Sequence, residues 1–248
     1  MNTTIDYEMT VIVPVYNEQV TLQELLKSLE EYRQRASVKV CFMIVDDCSD
    51  DDSKNIILNW CSMHEHFFFL SLKMRSGLTA SIKAGIDEVK SPFLGYIEAN
   101  LQTDPEDFEL LLKKRFEASL VCGERDLSLI KNPLVKLKVK LFNFIRKSVT
   151  RDGMNDVTCP LRVGDTQILK NLPWFVGMQY FVPGFIKATG HNVINVPVRY
   201  KKRIYGRSKH CFFKSIFNGV IDLMAFIWLK NRYIETQIRS SNFISRED

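Results

Sequence analysis

Hydrophobic and polar residues alternate in blocks along the first half of the chain. Four apolar runs have the length and composition of buried strands: 9–15, 38–45, 67–72 and 93–97. Between them, apolar residues at spacings of three and four predict helices: 18–35, a segment around 56–60, and 77–89. This alternation predicts an α/β fold, with an open and mostly parallel sheet covered by helices on both faces.

The regular alternation of predicted strands and helices ends after Asp126. Residues 134–149 predict an amphipathic basic helix, 192–203 a late strand, and 210–233 an apolar helix with a basic start. The last helix is interrupted by polar residues and is too short and too polar to span a bilayer, but it can lie on one. We therefore expect a folded domain over 1–210, followed by an amphipathic membrane-surface helix and a polar tail over 211–248.

Side chains that carry oxygen atoms follow the predicted strands. Asp46 and Asp47 come directly after the second strand, and Glu98, Asn100 and Gln102 alternate after the fourth. In an extended strand these last three side chains would share one face and could converge on a hard cation or a polyhydroxylated ligand. On spacing alone, polar capping of a turn is an equally good interpretation. Ligands of open α/β sheets bind beyond the carboxyl ends of the strands, which favours a site here.

The net charge of +5 is the sum of an acidic first half and a basic second half of the chain. Residues 1–126 carry 13 Lys+Arg and 22 Asp+Glu, whereas residues 127–248 carry 21 and 7. Two basic segments, 127–151 and 191–221, contain no acidic residue. Such segments usually form a solvated face, but two of them in one half favour a phosphate-rich partner, either nucleic acid or an anionic membrane surface.

Composition and motifs argue against several classes of protein. A chain of 248 residues that is 46% hydrophobic can bury the core of one globular domain. The six cysteines lack CxxC spacing, which favours reduced packing residues over zinc ligands. The polar opening segment does not match a signal peptide, so we expect a cytoplasmic protein. The absence of GxGxxG, GxxxxGK[ST] and GxSxG motifs argues against dinucleotide oxidoreductases, P-loop enzymes and α/β-hydrolases.

Six motifs, in order, resemble those of family 2 glycosyltransferases, and more narrowly those of the polyprenyl-phosphate sugar transferases. That group includes dolichol-phosphate mannose synthase and the undecaprenyl-phosphate glycosyltransferases. The resemblance extends over residues 10–215 and closes on an R-x-x-G-x-SK element at 203–209. The motifs are VIVPVYNE (11–18), VDDCSDD (45–51), RSGLTASIKAGID (75–87), IEANLQTDPED (97–107), DVTCPLRV (156–163) and VPVRYKKRIYGRSKH (196–210).

The resemblance implies a Rossmann-like GT-A fold and inverting transfer of a sugar from a UDP- or GDP-linked donor to a lipid phosphate. The positions that would border the nucleotide sugar are Pro14, Tyr16, Glu18, Asp46, Asp47, Glu98 and Ala99. Those that would hold a divalent cation, Mg²⁺ or Mn²⁺, are Glu98, Asn100 and Gln102. Those that would grip the acceptor phosphate or the donor diphosphate are Arg125, Lys140, Arg203, Ser208 and Lys209.

This chain departs from the family pattern at two positions. Glu98 and Asn100 stand where the family usually has two aspartates, so one formal negative charge is lost and a weakened metal site is expected. Cys48 stands where glycine is common, which restricts the turn after Asp47.

The positions of the acidic residues along the chain favour a phosphate over a hydroxyl as the group that accepts the sugar. Transfer to a hydroxyl needs a general base, yet no acid lies between Asp165 and Asp222, and Gln179 stands where a base is expected. A phosphate acceptor is already anionic at neutral pH and needs no base. We therefore favour a polyprenyl phosphate as acceptor, in the cytoplasm at the inner face of the cell membrane, for cell-envelope glycan or lipid modification.

Other functions stay open on the sequence. Transfer to a saccharide or lipid hydroxyl is the nearest enzymatic alternative, and a catalytically weakened nucleotide-sugar-binding protein is another. The favoured interpretation includes no nucleic-acid partner, although strong salt-dependent retention on DNA would favour one. The sequence leaves homo-oligomerisation undecided.

Overall fold

A computed structural model describes residues 6–126, 133–199, 201 and 212–233. Within these ranges, one sheet of seven strands has the order β3-β2-β1-β4-β6-β5-β7. The strands are Met9–Val15 (β1), Val40–Asp46 (β2), Phe67–Ser71 (β3), Phe93–Tyr96 (β4), Leu120–Arg125 (β5), Arg162–Asp165 (β6) and Val193–Val198 (β7).

The first four strands form a parallel block, as their apolar runs predict. β1 pairs in parallel with β2 and β4, and β2 pairs in parallel with β3. Every residue of β1 is buried, because both faces of the sheet are covered by helices. Alternate β1 residues point into two separate apolar clusters, Val11 and Val13 into one and Ile12 into the other. The α/β prediction is confirmed.

The strand β6 makes the sheet mixed. It lies between β4 and β5 and runs antiparallel to both, whereas β5 pairs in parallel with β7. Neither β5 nor β6 is predicted from the sequence. The insertion of β6 places Arg162 directly beside Tyr96 of β4, which brings the DVTCPLRV motif to the edge of the sheet where the oxygen-bearing residues lie.

The helices cover the sheet, and the five that the sequence predicts lie close to their predicted positions, whereas three short helices in the described ranges are not predicted. They are Gln19–Arg35 (α1), Ser53–Met63 (α2), Leu78–Glu88 (α3), Phe108–Leu112 (α4), Pro133–Thr150 (α5), Thr166–Lys170 (α6), Val182–Ala188 (α7) and Phe212–Lys230 (α8). In α1 the apolar positions form one buried stripe that includes Leu22, Leu25, Leu26 and Leu29.

The helix α8 is anchored to the body of the fold by one aromatic residue. Phe226 is buried, stacks on Phe181 with ring centroids 5.5 Å apart and meets Phe185 edge-on at 4.8 Å. Of the helices in the described ranges, none is both long enough and apolar enough to cross a bilayer. The proposed boundary at 210/211 and the predicted tail over 234–248 lie outside the described residues, so both stay predictions.

Candidate active site

The carboxyl ends of β1 and β2 place two buried aspartates side by side. The strand register sets Asp46 opposite Val15. Asp46 accepts hydrogen bonds from the Ser49 N–H at 3.1 Å and the Ser71 hydroxyl at 3.3 Å. Asp47 accepts from the N–H groups of Ser76 at 2.7 Å and Gly77 at 2.8 Å. The two carboxylates therefore organise the loops that lead into α2 and α3, and their predicted contact with base and ribose stays a prediction.

The segment after β1 is bonded to the start of α2 and to the loop before α3. The N–H of Glu18 donates to the Ser53 hydroxyl at 2.9 Å, and its Oε2 accepts from the Thr21 hydroxyl at 3.2 Å. The Arg75 guanidinium lies over the ring of Tyr16, 4.1 Å from its centroid. This cation–π contact ties the 72–77 loop to the end of β1. The sequence alone does not indicate this contact of Arg75, because the pairing depends on the fold rather than on spacing.

The turn after Asp47 carries the strain that the sequence suggests. Cys48 has φ of 58°, in the left-handed region that favours glycine. We expect Cys48→Gly to raise the free energy of unfolding by about 1 kcal/mol, because a Cβ in this conformation is unfavourable by roughly that amount. Urea unfolding measures the change. Cys48→Ser keeps the Cβ and serves as the matched control; an equal gain in both variants would rule out backbone strain as the cause.

Glu98, Asn100 and Gln102 are joined by a turn instead of an extended strand. β4 ends at Tyr96, two residues before Glu98, so the argument from strand alternation is wrong in its geometry. The three residues are nevertheless linked: Asn100 Nδ2 donates to Glu98 Oε2 at 2.7 Å, and the Gln102 N–H donates to Asn100 Oδ1 at 3.0 Å. The Tyr96 hydroxyl donates to Glu98 Oε1 at 3.1 Å.

The same turn is tied to α1 and to the end of β7. The Thr21 hydroxyl donates to the Ala99 carbonyl at 2.9 Å. The Lys201 N–H donates to the Gln102 carbonyl at 2.9 Å, and Lys201 Nζ lies 3.2 Å from Asp104. The chain that leads to the R-x-x-G-x-SK element therefore passes directly along the turn that contains Glu98. Arg203, Ser208 and Lys209 themselves lie outside the described residues.

Arg125 is held by a buried carboxylate. Its Nε and one Nη donate to the two oxygens of Asp156 at 2.7 and 3.0 Å, and the same Nη donates to the Thr158 hydroxyl at 2.6 Å. Burial alone would raise the pKa of Asp156, but the Arg125 guanidinium outweighs it and holds that pKa below its usual value. The predicted phosphate contact of Arg125 is untested. Lys140, the weaker candidate, lies on an exposed face of α5.

The family of the chain is shown by a match to a family profile. The sequence profile of glycosyl transferase family 2 matches residues 10–172, which is more than half of the chain and spans β1 to β6. The chain belongs to glycosyl transferase family 2. It is therefore a family 2 glycosyltransferase, as its six motifs imply. The match does not distinguish the polyprenyl-phosphate subgroup from other members.

Solved glycosyltransferases share the architecture of this one. Glucosyl-3-phosphoglycerate synthase from Mycobacterium tuberculosis, in complex with Mn²⁺, UDP and glucosyl-3-phosphoglycerate, is 12% identical with a TM-score of 0.60; the match covers 93% of this chain and 82% of that chain. The mannosyltransferase PcManGT from Pyrobaculum calidifontis, in complex with GDP-Man and Mn²⁺, is 17% identical with a TM-score of 0.66 and coverages of 94% and 67%. At these identities the likeness shows the fold alone, which is GT-A.

The glycosyltransferase also has a buried cation that sequence reasoning missed. Arg162 donates to the carbonyls of Gln179 and Val157, each at 2.6 Å, and its Nε has no hydrogen-bond partner in the part of the chain that the structure describes. Burial raises the pKa of Tyr96, Glu98 raises it further, and Arg162 acts in the opposite direction. Glu98 and Arg162 thus lie close enough to the same phenol to offset each other's charge.

A second missed residue, Asp222 of α8, has a perturbed carboxyl. Burial raises its pKa from the ordinary 3.8 to about 6. The folded protein therefore binds this proton more tightly than the unfolded chain, and the stability that the proton contributes is lost as the pH rises through about 6. We expect Asp222→Asn to raise the free energy of unfolding by about 1 kcal/mol at about pH 7.5, a value discounted because the side chain is only half-buried.

The pH dependence tests that expectation. Urea unfolding at about pH 4 should show little difference between Asp222→Asn and the parent protein, because the parent carboxyl is then protonated when folded. Asp87→Asn, at an exposed position of α3, is the control. A gain of the same size at both pH values would show that burial of charge is not its cause.

Proposed function

We propose that this glycosyltransferase moves a sugar from a UDP- or GDP-linked donor to a polyprenyl phosphate at the cytoplasmic face of a membrane, for cell-envelope glycan or lipid modification. The observation that carries the proposal is a pair of adjoining helices, α5 and α8, whose outer faces expose large apolar side chains beside the site. Such faces fit a protein that lies on a lipid surface, where the acceptor of this proposal is embedded.

The outer face of α5 is a regular apolar stripe with basic flanks. Its exposed residues recur at spacings of three and four, and Phe144 is 71% exposed. The full set is Leu134, Leu137, Leu141, Phe144 and Ile145. Lys140 and Lys147 are also exposed on this helix. Apolar side chains together with lysines are the combination that binds interfaces rich in anionic lipid.

The outer face of α8 has the same character and adjoins the candidate site. Its exposed apolar residues are Val220, Ile221, Met224, Ile227 and Trp228. A Cβ on Gly219 of α8 would lie 3.7 Å from the Phe142 ring of α5, so the helices are neighbours. Phe142 in turn contacts Tyr180 edge-on, with ring centroids 5.9 Å apart. Tyr180 follows Gln179, whose carbonyl accepts from Arg162, and the strand partner of Arg162, Tyr96, donates to Glu98.

The turn that contains Glu98 fits a divalent cation, though weakly. No group of three His, Cys, Asp or Glu residues within the described ranges could hold a metal. Glu98 would contribute one carboxylate, and Asn100 and Gln102 would contribute amide oxygens, leaving phosphate oxygens and waters to complete the coordination of Mg²⁺ or Mn²⁺. When bound, the cation would neutralise charge on the departing diphosphate. The Mn²⁺ complexes of the two related glycosyltransferases support this assignment.

Transfer to a phosphate oxygen needs no general base. An oxygen of the acceptor phosphate forms the new bond to the anomeric carbon, and the bond from that carbon to the donor diphosphate breaks with its electron pair, so the configuration inverts. Arg203, Ser208 and Lys209 would hold the acceptor phosphate and shield its charge from that of the diphosphate. The position of Lys201, which contacts both Gln102 and Asp104, supports this assignment.

A scan of nucleotide sugars tests the function. The purified protein is incubated with radiolabelled UDP- and GDP-linked sugars, membrane vesicles that contain undecaprenyl phosphate, and either Mn²⁺ or a chelator. We expect label to pass into organic solvent with at least one donor, and much less of it with the chelator. Label that stays in the aqueous phase on a sugar or glycerate product would contradict the lipid acceptor.

Vesicle binding tests the surface formed by α5 and α8. We expect Leu141→Glu with Phe144→Glu to weaken binding to vesicles of phosphatidylcholine and phosphatidylglycerol by about tenfold or more, because two apolar side chains no longer enter the interface. Sedimentation with vesicles measures it. Met63→Glu, an exposed apolar position on α2, is the control. Equal binding by all three proteins would exclude this surface as the membrane contact.

A further inference from the structure

Asp222 reaches from α8 to the loop that precedes Gln179. A Cβ atom added to Gly177 would lie 2.2 Å from Asp222 Oδ2, which is too close for any side chain at position 177. Gly177 has φ of 90°, so both its conformation and the nearby carboxylate require glycine. The loop is thus shaped to let a carboxylate from a distant part of the chain approach its backbone.

The Asp222 carboxylate lacks a hydrogen-bond or ion-pair partner within the part of the chain that the structure describes. Among the described residues, no hydrogen-bond donor or cation contacts it, and burial is the one cause that raises its pKa. It is half-buried, so a ligand can still reach it. A desolvated carboxylate without donors is unfavourable, and hydrogen bonds from a ligand would remove that penalty.

Polar groups that suit a sugar are bonded to the loop that this carboxylate approaches. The Thr79 hydroxyl accepts from the Gly177 N–H at 3.1 Å and donates to Gln179 Oε1. The Gln179 carbonyl accepts from Arg162, whose strand partner Tyr96 donates its phenol hydrogen to Glu98. Hydroxyl, carboxamide, phenol and carboxylate groups therefore lie together on the side of the site next to the turn that contains Glu98.

We propose that Asp222 is a sugar-binding residue of this glycosyltransferase, accepting hydrogen bonds from hydroxyl groups of the transferred sugar in a subsite shared with Thr79 and Gln179. The inference rests on the proposed function, which places the donor diphosphate at Glu98. A sugar attached to that diphosphate supplies several neutral O–H donors, which a carboxylate can accept without any change in its charge. A phosphate group would instead be repelled by Asp222.

Comparison of free nucleotides with nucleotide sugars isolates this contact. Calorimetry with Mn²⁺ gives dissociation constants for UDP, GDP, UDP-glucose and GDP-mannose with the parent protein, Asp222→Ala and Asp222→Asn. For the donor that the parent binds, we expect Asp222→Ala to weaken binding about tenfold, because hydrogen bonds to a charged group are lost, with binding of the corresponding free nucleotide unchanged. Asp87→Asn is the control and should change neither constant.

The outcomes separate the inference from the proposed function. Equal donor affinity in Asp222→Ala and the parent would overturn the sugar-binding role while leaving the transferase intact. Loss of free-nucleotide binding in parallel with loss of donor binding would also overturn it, since that pattern indicates a structural role. If the parent binds neither free nucleotide nor donor, the proposed function fails and the inference fails with it.

Discussion

Glu98→Ala should lower the rate of sugar transfer by about a hundredfold or more, because the proposed metal site would lose its carboxylate and with it the stabilisation of the departing diphosphate. Glu98 also accepts hydrogen bonds from Tyr96 and Asn100, so the loss would loosen the turn as well. Steady-state transfer with Mn²⁺, together with Mn²⁺ titration by electron paramagnetic resonance, measures both effects. The two losses should occur together.

A carboxylate added two residues further along the chain, at Asn100, should have the opposite effect on metal binding. Asn100→Asp would restore the second carboxylate that the family usually has, and we expect Mn²⁺ to bind about tenfold more tightly. Glu98→Gln keeps the shape of the side chain but removes its charge, so it should behave like Glu98→Ala toward the metal. Unchanged transfer and unchanged Mn²⁺ affinity in the Glu98 variants would remove Glu98 from the metal site.

Asp152→Ala should cost about 3 to 5 kcal/mol of stability, the largest structural effect that we expect, because it would leave a buried guanidinium without its counter-charge. Arg146 and Asp152 are both buried and form an ion pair at the end of α5. Asp152 also accepts from the Thr150 hydroxyl and the Met154 N–H, each at 2.9 Å. Urea unfolding monitored by circular dichroism gives the free energy of unfolding.

An exposed ion pair provides the matched comparison for this effect. Lys114 and Glu117 form a surface pair at 2.8 Å, and Glu117→Ala should change stability by no more than about 0.5 kcal/mol. Replacing both buried partners, as in Arg146→Met with Asp152→Leu, should recover much of the loss because no lone charge remains. A cost for Asp152→Ala as small as that for Glu117→Ala would contradict the burial of this pair.

Sequence patterns predict the parallel half of the sheet because its strands are apolar runs, of which β1 is wholly buried and β2 nearly so. β1 and β2 each contain seven residues, enough for an apolar run to be distinguished from a helix face. β6 contains four residues, Arg162–Asp165, with a glycine and two charges, so its sequence has no strand period. Its place between β4 and β5 depends on pairing between distant segments, which composition does not encode.

The candidate site was predictable where function depends on neighbouring residues in the sequence. The sequence groups Glu98, Asn100 and Gln102, and the structure links the three by hydrogen bonds, although a turn and not a strand brings them together. Arg162 and Asp222 were missed because their importance arises from burial and from contacts with Gln179 and Gly177 across the fold. An isolated Asp in an apolar helix was the one signal that could have indicated Asp222.

The most direct test of the central claim compares two acceptors that differ only by the phosphate. Undecaprenyl phosphate and undecaprenol are presented in identical vesicles, with the radiolabelled donor that the scan selects and with Mn²⁺. The proposed mechanism predicts labelled lipid with undecaprenyl phosphate alone, because the phosphate is already ionised, whereas the hydroxyl of undecaprenol would need a general base to remove its proton. Equal labelling of undecaprenol, or labelling of neither lipid while a water-soluble hydroxyl acceptor is labelled, would contradict it.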